Sequence, residues 1–96
     1  DGVTSFYITC ESGHLEILKM MMNDDRVDVN KMMDGDYSPF YTACGEGHLN
    51  LVMAMMNHDR INVNKPAENG ATPFFIACQE GYYEIVLTLI SDPRLD

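Results

Sequence analysis

Two kinds of apolar block alternate along the chain, and each returns every 34 residues. The shorter block reads FYITC, FYTAC and FFIAC, beginning at Phe6, Phe40 and Phe74. A glycine follows each at Gly13, Gly47 and Gly81, and then comes a denser block, LEILKMMM, LNLVMAMM or YEIVLTLI. Thr4-Ser5, Ser38-Pro39 and Thr72-Pro73 precede the shorter blocks and are helix-start signals, because the hydroxyl caps open N–H groups and Pro at the first turn loses no bond. Each row therefore predicts a short helix ending at a glycine suited to the left-handed conformation. A second helix follows over about Leu15–Met22, Leu49–Met56 and Tyr83–Ile90. Apolar residues are too dense in it for one narrow stripe, which suits a helix packed on both sides. The polar segments NDDRVDVNK and NHDRINVNK then lead to the next turn.

The rows agree without gaps at many columns: Cys10, Cys44 and Cys78; Arg26, Arg60 and Arg94; Leu15, Leu49 and Tyr83; Asn30 and Asn64. Internal repetition is the primary fact about this chain. Two antiparallel helices and a turn form the unit. One unit cannot bury its own apolar face, so the units must stack.

Charge narrows the partners. Fifteen acidic residues against six basic give a net charge of −9, which repels nucleic-acid phosphates and favours a basic surface or peptide. No apolar run approaches the ~18 residues of a membrane helix, so no membrane partner is expected. Three cysteines spaced this widely do not make a secreted disulfide framework.

The segments TPFF-x-AC-x-x-G-x-x-E-I-V of the third row and PFY-x-AC-x-x-GHL of the second resemble the ankyrin repeat signature. The resemblance covers essentially the whole chain, in the flavour of long arrays from unicellular eukaryotes. It implies an all-α fold: an ankyrin-repeat solenoid of helix-turn-helix units joined by β-hairpin-like loops. One domain over 1–96 is expected, with repeats at about 1–33, 34–67 and 68–96. Several positions depart from the family pattern. Its histidine after Thr-Pro-Leu is Tyr7, Tyr41 and Phe75 here, and the loop-to-helix glycine (Gly2, Gly70) becomes Asp36 in the middle row. The glycine ending the second helix is Asp25, Asp59 and Pro93, and methionines crowd leucine positions. No row carries a polar capping face, so an excised or engineered section of a longer array is expected.

Residues that invite a chemical reading have structural ones. Stacked repeats lie about 10 Å apart, too far for a disulfide or a shared zinc among the cysteines; they read as small buried core residues. As free thiols they point to a reducing, cytoplasmic setting. His14 and His48 fall in the link between helices, a structural position in the family. Asn30 and Asn64 match the family's loop asparagine and are expected to tie the hairpin backbone together. No nucleophile–base pair or phosphate-cradling loop is present. The chain is not expected to be an enzyme, and no catalytic, metal or cofactor site is assigned.

Function then falls to the positions where the rows disagree. These are the turn tips (Val3; Met32, Met33, Asp34 and Tyr37; Glu68, Asn69 and Ala71) and the first-helix exits (Glu11 and Ser12; Gly45 and Glu46; Gln79 and Glu80), with Tyr41 beside them. The ankyrin resemblance implies that these positions line a concave face that grips another protein. Tyr37 and Met33 would supply an apolar anchor, and Glu11, Glu46 and Glu80 an acidic ladder. The alternatives are a structural spacer or scaffold fragment with no partner of its own, and self-association through uncapped ends.

Overall fold

Ser38 and Thr72 act as the caps their positions predict. The Ser38 hydroxyl accepts from the Tyr41 N–H and that of Thr72 from the Phe75 N–H, each at 3.1 Å, with Pro39 and Pro73 in the first turns. The structure, a computed structural model, describes Thr9 and residues 13–31 and 37–96. Among these, the helices are α1 (Leu15–Met22), α2 (Pro39–Gly45), α3 (Leu49–Met56), α4 (Pro73–Glu80) and α5 (Tyr83–Ile90). The bounds of α1, α3 and α5 match those read from the apolar blocks. The turn around Asp36 lies outside the described residues.

The first helices α2 and α4 pack on each other in one layer, and the second helices α1, α3 and α5 pack in succession in the other. Between the layers lies one continuous core of Leu18, Phe40, Leu51, Val52, Met55, Ile85 and Leu89. Val29 and Val63, from the Val-Asn loops, are buried with them, so the loops are plugged onto the core by their own side chains. Thr9 explains one methionine: it is buried where the later rows have Ala43 and Ala77, and its hydroxyl donates to the Met21 sulfur at 3.6 Å. Nothing in the structure explains Met20 and Met53, which are largely exposed.

The arginine column joins the repeats. The Arg60 guanidinium donates to the carbonyls of Met22 and Val27, at the end of the preceding repeat's second helix and in its loop. Arg94 repeats the contact one register later, on the carbonyls of Met56, His58 and Ile61. Carbonyls at a helix C-terminus lack intrahelical donors and carry negative partial charge, so a guanidinium satisfies them well.

The asparagines answer in the opposite direction. Asn30 donates to the Arg60 carbonyl at 2.6 Å and accepts from the Asn62 N–H at 2.7 Å; Asn64 does the same for the Arg94 carbonyl (2.7 Å) and the Asp96 N–H (3.0 Å). They therefore tie loop backbone through the side-chain amide by joining one loop to the next, a reach across repeats that the rows alone do not show. Each junction is held by an arginine reaching back and an asparagine reaching forward.

The cysteine expectation needs correction. Cys44 is fully buried, and burial pushes its thiol well above the ordinary range. Cys78, in the same column, is exposed. The difference is position in the stack: the third row covers Cys44, while no described residue covers Cys78.

Glycines 47 and 81 show a further inter-repeat contact. Both sit at positive φ, +79° and +76°. A Cβ on Gly47 would stand 2.8 Å from the Tyr82 ring, whereas one on Gly81 would meet nothing within 4 Å. Gly13 is similarly covered by the His48 imidazole, at 2.9 Å from such a Cβ. Residue 48 or 82 thus lays its ring on the previous repeat's glycine, which accounts for the His-or-Tyr column without chemistry.

Two predictions follow from the junctions. Gly47→Ala is expected to cost about 2–4 kcal/mol, combining left-handed strain with the ring clash, and Gly81→Ala only about 1–2 kcal/mol; urea unfolding of both measures the difference. Asp24 and Asp92 flank their arginines at 2.7 Å, and Arg94 holds the Asp92 carboxyl below its usual range. The middle row has His58 there. His58→Asp is expected to stabilise the fold by about 0.5–1 kcal/mol. A carboxyl whose folded pKa is depressed stabilises above its unfolded pKa, so the gain should be present near neutrality and disappear as pH falls through the folded value. Melts of both proteins at neutral and acid pH test the sign.

Candidate functional site

Gly45 sits near the end of α2, where a Cβ would stand 3.3 Å from Ile76 Cγ1 on α4. The missing side chain lets α4 bring Ile76 in close and leaves a depression between the two first helices. An open groove of about 360 Å³ results, lined by Tyr37, Tyr41, Thr42, Gly45, Glu46, Ile76 and Glu80. The Tyr37 and Tyr41 rings stack across 5.1 Å with 16° between their planes. Tyr41 is 8% exposed and Tyr37 40%, so Tyr41 is a buried support and Tyr37 presents the aromatic face.

Glu46 and Glu80 occupy one column in successive rows and stand exposed at the exits of α2 and α4. Their spacing along the stack brings two carboxylates to one groove beside the tyrosine pair. Burial, then the neighbouring Tyr37 and the negative charge of Glu80, push the Tyr41 phenol upward. Tyr41 consequently keeps its proton at neutral pH and remains a hydrogen-bond donor.

The sequence-derived positions separate on this structure. Tyr37, Tyr41, Glu46 and Glu80 come together in the groove. Glu68, Asn69 and Ala71 lie on a different turn, closed by Ala67 N–H to Ala71 carbonyl at 2.7 Å, with Gly70 at φ +91°. Asn69 accepts there from the Ala71 N–H at 3.0 Å, so its side chain helps to build the turn. Gln79 is exposed on α4 and does not line the groove. Val3, Glu11, Ser12, Met32, Met33 and Asp34 lie outside the described residues. Two groove residues escaped the reading from sequence, Thr42 and Ile76. They share a column whose character switches from Ile8 to Thr42 to Ile76, and that switch was the available signal.

Among the described residues no three His, Cys, Asp or Glu side chains are placed to hold a metal ion. No helix formed by the described residues is long and apolar enough to cross a membrane. A family model of ankyrin repeats matches residues 6–96 in three copies. The chain belongs to the ankyrin repeat family. Comparison with curated proteins returns no match. Ankyrin repeats generally mediate protein–protein interaction and are typically non-catalytic, and the groove of this ankyrin chain runs between first helices, where the stack leaves side chains uncommitted to packing. Tyr41 and Phe75 stand where the family signature has histidine; Ser38 and Thr72 cap the two first helices, and the Tyr41 ring stacks on Tyr37.

Proposed function

We propose that this ankyrin chain is a protein-binding module whose α2–α4 groove receives a basic segment of a partner protein. The observation that carries the reading is the juxtaposition of a half-exposed, stacked Tyr37 with the carboxylates of Glu46 and Glu80 around one depression. A Lys or Arg side chain fits such a place on both counts. Its alkyl stem lies on the aromatic face and its charge meets the carboxylates. The surrounding charge of −9 would speed the encounter with a positive partner. Ile76 supplies the apolar floor, and Tyr41 fixes Tyr37 in place at little further entropic cost. A cytoplasmic setting fits this reading, since the exposed thiol of Cys78 needs a reducing compartment to persist.

Selection of random linear peptides on the immobilised chain tests the proposal. Basic peptides carrying at least one large apolar side chain are expected, with binding that weakens steeply as salt is raised. The double variant Glu46→Lys/Glu80→Lys should reduce affinity for them about a hundredfold, and Tyr37→Ala about tenfold. Unchanged binding in both variants would show that the groove is not the docking site.

A further inference from the structure

We infer that the α2–α4 groove selects arginine over lysine in the basic segment it receives, and that the hydroxyls of Tyr41 and Thr42 make the choice; this rests on the groove's proposed role as the docking site of such a segment.

Two hydroxyls on the α2 side of the groove are uncommitted. Tyr41 and Thr42 are each 8% exposed, and both line the depression. The Tyr41 N–H donates to the Ser38 hydroxyl, but the phenol oxygen forms no hydrogen bond among the described residues, and neither does the Thr42 hydroxyl. A threonine on a helix has an acceptor one turn back, and Thr88 of α5 uses it, donating to the Glu84 carbonyl at 2.8 Å. Thr42 makes no such bond. Packing does not require a hydroxyl there either, since the same column holds Ile8 and Ile76 in the other rows. Among the described residues no side-chain oxygen sealed from solvent lacks a partner. Both hydroxyls therefore still touch solvent, and the groove is where these two side chains meet it. Nearly buried oxygens of this kind favour a ligand that brings donors to them.

The acceptors around the depression are spread, and that favours one cation over the other. Glu46 and Glu80 stand at the exits of α2 and α4. The Tyr41 and Thr42 hydroxyls lie on the α2 wall, and the Tyr41 phenol feels the charge of Glu80. An ammonium carries its three donors on one atom and holds its water strongly, so in an open groove it meets a carboxylate and stays hydrated. A guanidinium has five N–H donors fixed in a plane. One edge can face a carboxylate while another reaches the hydroxyls. Its faces are weakly hydrated and stack on aromatic rings. Tyr37 offers such a ring, because Tyr41 covers one of its faces in a near-parallel stack and the side chain remains exposed for a third planar group. Tyr37 sets the plane, the carboxylates supply the charge, and the two hydroxyls distinguish arginine from lysine.

NMR titration of the isotope-labelled 96-residue chain with three blocked amino acids tests the choice: N-acetyl-argininamide, N-acetyl-lysinamide and N-acetyl-citrullinamide. The arginine probe is expected to shift the amide resonances of Tyr41, Thr42, Glu46 and Glu80 and to bind about tenfold more tightly than the lysine probe. Citrulline has arginine's shape without its charge and should leave these resonances in place. Tyr41→Phe/Thr42→Val removes both hydroxyls and keeps the ring stack and the side-chain shapes. In that variant arginine should fall to the level of lysine, while lysine binding changes by less than about twofold. Circular dichroism confirms that the variant is folded. Equal binding of arginine and lysine by the unsubstituted chain, or an arginine preference that survives the double substitution, would overturn the inference and leave the basic-segment reading standing. Groove shifts absent with both cations, or as large with citrulline, would overturn both.

Discussion

A guanidinium laid on the open carbonyls of a neighbouring helix end is the contact on which this stack depends. A helix of eight residues has few internal bonds, and its last carbonyls need donors from elsewhere. Arg60 and Arg94 supply those donors from the following repeat, so the ends of α1 and α3 are completed by their neighbours. Asn30 and Asn64 then fix the following loop against the one before it. Because the two contacts run in opposite directions, a junction resists both sliding and opening. Cooperativity between repeats is built into polar bonds as well as into the apolar core.

The same dependence positions the groove. Tyr37, Tyr41 and Glu46 come from the second repeat, Ile76 and Glu80 from the third, and only the junction brings them together. The absence of a side chain at Gly45 sets how closely α2 and α4 approach there. A binding surface made this way is rigid because it sits on packed helices, and it varies by side chain without disturbing the core. That separation of roles suits the proposed interaction module: the arginine and asparagine columns build the stack, and the exposed Tyr37, Glu46 and Glu80 are free of it.

Much of this was legible in one dimension. The 34-residue period, the hydroxyl–proline starts and the three glycines predict the helices and their bounds, because those signals are local: a cap, a φ value, an apolar face. The groove was partly legible. Tyr37, Glu46 and Glu80 stood out because their columns are not uniform across the three rows, and Tyr41 because it replaces the family's histidine; the structure gathers them. Glu68, Asn69 and Ala71 differ too, yet belong to another turn. Variation between rows does not say which other residues a side chain meets.

The sequence by itself determined the unit, its repetition and the residue types that recur. Only the tertiary structure decided what those recurrences are for. The arginine column is plain in the rows, but its acceptors are backbone carbonyls, which have no identity in a sequence. The asparagines look like loop-closing residues until the next repeat is seen lying within their reach. The cysteines look equivalent until their place in the stack buries one and leaves another uncovered. In each case the deciding neighbour lies about 30 residues away along the chain, and contact across that distance is a property of how repeats pack.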